Sequence, residues 1–289
     1  MRRWTLQGLR RSTPAWVRRK ASEWRLIWWK QYVTLALEDG LDRLRGRTDP
    51  ELPPKRLSGF VGGGDFRAGG ELQARFVADL VGVEPGDRVL EVGSGIGRLA
   101  LPLTNMISEQ GSYDGLEIVP HGVRWCRRHI TPGHPNFRFH HADVANRTYN
   151  RNGRIPAERY VFPFAPASFD LVILLSVFTH MMPAAMAHYL EEIGRVLAPE
   201  GRLLATFFLL NDESSRLLDA GRGLPLPHTV GEARVANPVN PEGAVALPET
   251  LVRDLLDRTG LLPVTIHYGS WCGRDRHVGY QDAVIATKP

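Results

Sequence analysis

Cysteines, long apolar runs and clustered metal ligands are all scarce in this sequence. The two cysteines, Cys126 and Cys272, lie far apart and belong to no CxxC pair, which excludes a disulfide framework and a cysteine zinc site. So little cysteine is typical of a reducing compartment and predicts a cytoplasmic protein. No apolar run reaches the ~18 residues of a transmembrane helix. No group of His, Asp and Glu has metal-ligand spacing, so we expect no metal site.

Charge is distributed unevenly along the 289 residues. Residues 1–47 contain twelve basic and four acidic side chains, a charge of +8, so the overall +5 leaves −3 for the remainder. The same segment contains five of the seven tryptophans. We therefore predict a basic, Trp-rich helical arm over residues 1–47, a linker rich in Pro and Gly over 48–68, and a main domain over 69–289.

The arm has the signals of one helix. Thr13 is a suitable N-cap, Pro14 fits the first helical position, and Gly40 is a natural end. Tryptophans beside basic residues are typical of a helix that lies on a membrane surface, which would place the protein at the membrane face through residues 1–40. A helix packed on the main domain and a mitochondrial presequence are open alternatives. The acidic remainder of the chain disfavours a nucleic-acid partner.

The main domain alternates between two kinds of apolar pattern. Apolar runs predict strands over 87–92, 113–118, 137–142, 169–175 and 202–209, with two more in LPVTIHYG and YQDAVIATK. Helical spacing predicts helices between them, including GRLALPLTNMIS directly after the first strand. Strands that are apolar throughout and alternate with helices predict an α/β fold with a parallel sheet covered by helices.

The stretch VLEVGSGIGRLA places Gly93, Gly95 and Gly97 where the first strand gives way to a helix. Ligands of parallel α/β sheets bind beyond the carboxyl ends of the strands, and glycines let the backbone turn and approach a ligand closely. Arg98 occupies the place of the third glycine of a dinucleotide fingerprint. Glu91 would repel a phosphate and attract a cation, so the loop predicts a positively charged ligand without a pyrophosphate.

These motifs resemble those of class I S-adenosylmethionine-dependent methyltransferases, and the resemblance extends over residues 57–289. It implies a Rossmann-like, seven-stranded, mostly parallel sheet whose last strand is antiparallel. It also implies that Glu117 binds the ribose hydroxyls and that Asp143 lies near the adenine amine, although an N-cap role is an alternative for Asp143. The cofactor-binding residues expected for S-adenosylmethionine and its product S-adenosylhomocysteine are Glu91, Gly93, Ser94, Gly95, Gly97, Glu117, Ile118, Asp143, Val144 and Ser176.

The acceptor side is less clearly marked. His180, in SVFTHMMP, follows the fourth strand and is a candidate general base for a hydroxyl acceptor, with a polar residue at a helix start as the alternative. The family's N-methylating enzymes for bases and glutamine amides have [DN]PP[YFW] here, and SVFTH departs from that motif. Asp170 opens the fourth strand, at the end away from the ligand, and is expected to be structural.

Two long connections follow the third and fifth strands and are expected to cover the acceptor pocket. They supply Tyr149, Asn150 and His228 as candidate pocket residues. The predicted function is O-methylation of a small molecule, a glycan or a lipid-linked acceptor. Two alternatives are an NAD(P)-linked Rossmann oxidoreductase and a non-catalytic relative that binds S-adenosylmethionine.

Overall fold

The computed structural model describes residues 32–61 and 64–289. The chain divides into two compact units, Met1–Gly63 and Gly64–Pro289. Most of the predicted arm, including its expected start at Thr13, lies outside the described residues, so its helical start and its membrane contact stay predictions. The described part of the chain has no helix that is both long and apolar enough to cross a membrane.

The first unit pairs a helix with part of the predicted linker. Residues 32–44 are helical, so the helix continues past Gly40, and the predicted end at that glycine is wrong. A second, short helix spans Lys55–Ser58. The Asp39 carboxylate accepts the Lys55 backbone N–H at 2.7 Å and pairs with the Arg56 guanidinium at 2.8 Å. These contacts hold part of the linker against the preceding helix. The three-part division of the chain stays a prediction.

The second unit alternates strands and helices along the chain. Its strands are β1 (Arg88–Val92), β2 (Ser112–Glu117), β3 (Phe137–His141), β4 (Phe169–Leu174), β5 (Leu197–Phe207), β6 (Leu209–Leu210), β7 (His228–Val230), β8 (Ala233–Val235), β9 (Val245–Pro248), β10 (Leu262–His267) and β11 (Asp282–Thr287). Its α-helices are α1 (Phe66–Val81), α2 (Ala100–Leu103), α3 (Pro120–His129), α4 (Pro183–Val196), α5 (Asp212–Asp219) and α6 (Glu249–Arg258).

Seven of the strands form the main sheet in the order β10-β11-β5-β4-β1-β2-β3. The strands β1 to β5 pair in parallel, and β11 is antiparallel to both β5 and β10. The predicted fold, a mostly parallel seven-stranded sheet whose last strand is antiparallel, is therefore confirmed. Because neighbouring parallel strands end at the same edge, the residues after β1, β2, β3 and β4 are brought together there.

The core forms because the central strands are apolar on both faces. Leu171 to Leu174 of β4 are completely buried, and so are Val89 and Leu90 of β1. Helix α4 covers one face of the sheet with a stripe that includes Leu190 and Ile193. Full burial of such a side chain contributes about 1.5–3 kcal/mol, so the sheet gives the strand ends a rigid base.

Asp170 and Arg88 join β4 to β1 at the end of the sheet opposite the glycine loop. The Arg88 Nη2 atom lies 2.7 Å from Asp170 Oδ1, and its Nε lies 2.9 Å from Oδ2. The guanidinium also lowers the pKa of the Asp170 carboxyl. This bidentate pair confirms the expected structural role of Asp170.

The structure differs from the sequence-based expectation in two places. The helix predicted from GRLALPLTNMIS is only the four-residue α2, because Pro102 has no backbone N–H to extend the hydrogen-bond ladder. The long connection after β5 contains a second sheet in the order β6-β9-β8-β7. Its helix α5 begins with a capping box in which Asn211 and Ser214 each accept the other's backbone N–H.

Two adjacent glycines of α1 give a matched test of packing. A Cβ on Gly70 would lie 2.3 Å from the carbonyl oxygen of Arg98, whereas the nearest atoms to a Cβ on Gly69 lie at 3.8 Å. We expect Gly70→Ala to lower the free energy of unfolding by about 1–3 kcal/mol. Gly69→Ala should raise it by up to about 1 kcal/mol through helix propensity. Urea denaturation measures both, and equal stability of the two variants would contradict the packing argument.

Candidate active site

The three glycines after β1 all have backbone conformations that side chains rarely adopt. Their φ angles are +81° for Gly93, +58° for Gly95 and +80° for Gly97. The first turn is tied to β2, because the carbonyl of Leu116 accepts the N–H of Gly93 at 2.7 Å. A Cβ on Gly93 would lie 2.5 Å from a methyl carbon of Val177. Both the backbone conformation and the tight packing therefore require glycine at this position.

Glu117, the last residue of β2, holds the glycine loop with its side chain. Its Oε2 atom accepts the Gly95 N–H at 2.7 Å, and its Oε1 accepts the Val119 N–H at 2.6 Å. The side chain is buried, and burial raises the pKa of this carboxyl to about 7 although the backbone donors oppose the shift. Each oxygen keeps a further lone pair that can accept a hydrogen bond from a ligand.

Glu91 lies on β1 two residues before the loop and is enclosed by protein. The Tyr113 hydroxyl on β2 donates to its Oε2 atom, and both side chains are buried. Burial raises the pKa of the Glu91 carboxyl to about 8. Burial also raises the pKa of the Tyr113 phenol, and the nearby charge of Glu91 adds to that increase. The role of Glu91 in cofactor binding stays a prediction, because the hydrogen bond of its carboxyl is to Tyr113.

Asp143 and Val144 follow β3, where the chain doubles back on itself. The Asp143 carboxylate forms an ion pair with Arg154, whose guanidinium lowers the pKa of that carboxyl. Val144 is buried and bridges to Ile155, and its carbonyl accepts the side-chain amide of Asn150 at 3.0 Å. Asp143 thus lies at the predicted edge of the sheet, and its present partner is a side chain of its own loop.

The remaining predicted cofactor residues lie around the same strand ends. The Ser94 hydroxyl is buried without a hydrogen-bond partner among the described residues. Ser176 has a φ of +62°, its Oγ accepts from Gln281 at 2.8 Å, and its N–H donates to Thr206 Oγ1 at 2.7 Å. Ile118, directly after β2, packs partly buried against the core.

His180 ends a short 3₁₀ helix, Phe178–His180, that follows β4. Its Nδ1 atom lies 2.9 Å from the backbone carbonyl oxygen of Glu242. A carbonyl only accepts, so Nδ1 carries the proton and a neutral ring keeps Nε2 as an acceptor. Burial lowers the pKa of the imidazole. The aromatic ring of Tyr149 meets the imidazole edge-on, with 5.5 Å between ring centroids.

The two long connections meet at His180. Glu242, from the connection after β5, accepts the Arg147 N–H at 3.2 Å and the Asn146 amide at 3.3 Å through its carboxylate. The Asn240 amide donates to the Thr148 hydroxyl at 3.0 Å. The two connections thus contact each other beside His180, and that they cover an acceptor pocket stays a prediction. No short motif marks Asn240 or Glu242, and only the length of their connection could have indicated them.

The other two predicted pocket residues are placed differently. Asn150 is partly buried and forms a two-residue bridge with Asn146, which shapes the turn that carries Tyr149. His228 is exposed on β7, the outermost strand of the small sheet. The structure thus brings Tyr149 to His180 and places Asn150 in the turn that carries Tyr149. Within the described residues, no ring contact or hydrogen bond links His228 to the ring of Tyr149 or His180.

Comparison with known proteins identifies the class to which this fold and loop belong. Residues 89–201 match the family model of a methyltransferase domain, a range that runs from β1 through the glycine loop and β4 into β5. These residues therefore form a methyltransferase domain, as the resemblance to class I S-adenosylmethionine-dependent methyltransferases predicted. This confirms the predicted class and the predicted cofactor, S-adenosylmethionine, and counts against an NAD(P)-linked oxidoreductase.

Individual relatives are distant. A ubiquinone/menaquinone biosynthesis C-methyltransferase of Teredinibacter turnerae is 27% identical over 146 residues, which are 50% of this chain and 53% of that protein. The chain thus matches about half the length of this relative. A solved structure from Pyrococcus horikoshii OT3 shares the fold with a TM-score of 0.54 at 17% identity, covering 79% of this chain and 93% of that one. A 1,6-didemethyltoxoflavin-N1-methyltransferase of Burkholderia thailandensis is 18% identical with a TM-score of 0.47, covering 77% and 79% respectively.

The residues at this edge fit S-adenosylmethionine. Glu117 offers a buried carboxylate with spare lone pairs at the end of β2, where two ribose hydroxyls can donate. The glycine loop presents backbone without Cβ atoms beside it. The buried Ser94 hydroxyl adds a polar group that lacks a protein partner among the described residues. The loop and the carboxylate together thus provide both close approach and an acceptor of hydrogen bonds.

The raised pKa of Glu117 predicts a pH-dependent stability. Its value is about 7 in the folded protein against an ordinary 4.5, so the unfolded chain releases the proton first as the pH rises between those values. Folding then loses free energy with rising pH, by up to about 3 kcal/mol for this group. Glu117→Gln cannot ionise, so we expect its stability relative to the wild type to increase from pH 5 to pH 8 in urea denaturation. Glu71→Gln, at an exposed glutamate of α1, is the matched control, and an unchanged difference for Glu117→Gln would contradict the shift.

Proposed function

We propose that the protein transfers the methyl group of S-adenosylmethionine to an oxygen atom of a small molecule, a glycan or a lipid-linked acceptor. The observation that carries the proposal is His180, whose Nδ1 is bound to the Glu242 carbonyl at 2.9 Å. This bond leaves Nε2 as the basic atom, at the strand edge where the two long connections meet. A base in such a position accelerates the loss of a proton from a hydroxyl acceptor.

In this proposal the donor is held by the strand ends. Glu117 would accept hydrogen bonds from the ribose hydroxyls, and the backbone of the glycine loop would lie against the methionine part. Asp143 and Val144 would lie beside the adenine. To bind the adenine amine, the Asp143 carboxylate would give up part of its ion pair with Arg154. When bound, S-adenosylmethionine supplies a methyl group on a positively charged sulfur.

His180 would then act as the general base. Because burial lowers the pKa of its imidazole, the ring is neutral at physiological pH and Nε2 can take a proton. Nε2 would take the hydroxyl proton as the acceptor oxygen is methylated, with S-adenosylhomocysteine as the other product. The chain's main tasks are to align the two reactants and to exclude water from them.

Tyr149 would form the wall between the donor and acceptor sides. Its ring contacts the imidazole of His180, and its pKa is raised by burial and by the nearby charge of Glu117. The phenol therefore stays protonated and can donate a hydrogen bond to the acceptor. Asn150 supports this position from the same turn.

Carbon methylation is a second candidate, favoured by the relative from Teredinibacter turnerae that acts on carbon. His180 would serve there as well, since a phenolic hydroxyl must lose its proton before the ring carbon attacks. Product analysis separates the two reactions, because an ether methyl and a carbon-bound methyl have different ¹³C chemical shifts. A non-catalytic binder would form no S-adenosylhomocysteine with any acceptor.

Loss of the Glu117 carboxylate should weaken donor binding. We expect Glu117→Ala to lower the affinity for S-adenosylhomocysteine at least tenfold, equivalent to about 1.4 kcal/mol or more. Gly95→Val should lower it further, because a branched side chain is strained at a φ of +58°. Isothermal titration calorimetry measures both affinities, with Glu71→Ala as the control. Wild-type affinity in a folded Glu117→Ala variant would refute the ribose-binding role.

Removal of the His180 imidazole should slow turnover and leave donor binding intact. With a panel of phenols, hydroquinones, sugars and lipid-linked glycans, we expect His180→Ala to form S-adenosylhomocysteine about 100-fold more slowly. Its calorimetric affinity for S-adenosylhomocysteine should match that of the wild type. His188→Ala is the matched control, because the His188 ring also bonds a carbonyl, that of Tyr160, at 3.0 Å. Full turnover in His180→Ala, or an equal loss in His188→Ala, would exclude His180 as the base.

A further inference from the structure

Positive charge is concentrated in one segment of the otherwise acidic main domain. Residues 118–160 contain eight arginines and two acidic residues, a charge of +6. The rest of the chain after residue 47 therefore carries −9. The segment comprises α3, β3 and the connection that carries Tyr149, so its charges belong to a single region of the fold.

Helix α3 presents three of these arginines on one exposed face. Arg124, Arg127 and Arg128 are spaced as neighbours on a helix surface and are all exposed, whereas Val123 and Cys126 point into the core. The Nε atom of Arg127 donates to the carbonyl of Phe139 at 2.7 Å. Strand β3 is the last strand of the main sheet, so this contact brings the helix face to the open sheet edge.

Further arginines continue along that edge. The Arg138 side chain on β3 is 55% exposed and pairs with Asp114. Arg154 is 86% exposed and pairs with Asp143 directly after β3. Arg151 is exposed in the same turn. We call these residues the β3-edge face: Arg124, Arg127, Arg128, Arg138, Arg151 and Arg154.

Most of this charge is not balanced by acidic groups. Asp114 and Asp143 each neutralise one arginine of the β3-edge face. Within the described residues, no ion pair joins a carboxylate to Arg124, Arg127 or Arg128. A helix face with three uncompensated guanidinium groups attracts an extended anionic surface.

The chemistry of the β3-edge face favours a lipid surface over nucleic acid. Proteins that bind single-stranded nucleic acid stack bases on exposed aromatic rings. Four of the five aromatic rings of this segment are buried, those of Trp125, Phe137, Phe139 and Tyr160, and that of Tyr149 packs edge-on against His180. The guanidinium groups lie on a helix face and along a strand edge. A free anion is normally bound in a concave site, so this arrangement disfavours a small anion as the ligand. The sequence also carries an arm of +8 with five tryptophans, a composition suited to a bilayer interface.

We propose that the β3-edge face docks the protein on an anionic lipid bilayer. The proposal does not depend on the proposed methyl transfer. It has one consequence for that reaction, because the turn that carries Arg151 and Arg154 also brings Tyr149 to His180. Docking through this face would set the acceptor side of the site close to the lipid headgroups.

The test measures binding of the full-length chain to vesicles by flotation. The vesicles contain phosphatidylcholine alone or with one third phosphatidylglycerol. Each basic residue near an anionic bilayer strengthens binding by a factor of about five. The double variant Arg124→Gln with Arg128→Gln should therefore bind the anionic vesicles about thirtyfold more weakly. The control, Arg216→Gln with Arg258→Gln, removes the same charge from exposed positions on α5 and α6 and should stay within about twofold of the wild type.

Calorimetry with S-adenosylhomocysteine and circular dichroism establish that each variant is folded. The charge reversal Arg124→Glu with Arg128→Glu should weaken vesicle binding more than the glutamine pair does. An equal loss in both glutamine pairs would overturn the proposal, because it would show an effect of net charge alone. Unchanged vesicle binding with a selective loss of affinity for single-stranded RNA would overturn it as well, in favour of a nucleic-acid partner.

Discussion

The candidate site depends on the hydrogen bonds that the buried carboxylate of Glu117 accepts from two backbone N–H groups. It accepts backbone N–H groups from Gly95 and Val119, so it joins the glycine loop after β1 to the turn after β2. A buried ionisable group costs stability unless it is hydrogen-bonded, and burial raises its pKa to about 7. The protein thus retains a buried carboxyl group at the end of β2, where we propose that the ribose of the cofactor binds.

The surroundings of His180 are organised by a second set of long-range contacts. The carbonyl of Glu242 orients the ring of His180 from 62 residues away, and the carboxylate of Glu242 holds Asn146 across 96 residues. One residue therefore joins the short helix after β4 to both long connections. The proposed donor side, in contrast, is made from strand ends and tight turns that lie closer together in the chain.

The distribution of charge would orient the main domain relative to an anionic surface. The arginines of the β3-edge face belong to the same segment as Tyr149, so the proposed docking region and the proposed acceptor region are adjacent in the chain. The remainder of the main domain is acidic. Opposite charges on different parts of one domain would orient it on an anionic surface more strongly than a uniform charge could.

The sequence by itself determined the features that depend on neighbouring residues. Apolar runs marked the strands, three glycines marked a turn with positive φ angles, and the position of Asp170 at a strand start marked a structural pair. Glu117 could be predicted through the resemblance to class I methyltransferases, which implies an acidic residue at the end of the second strand. Only the tertiary structure decided the small sheet, the pairing of Asp143 with Arg154, the tautomer of His180 and the role of Glu242. For His180 and Glu242, the physical reason is that the partners lie tens of residues apart, so the hydrogen bonds exist only once the sheet has brought the connections together.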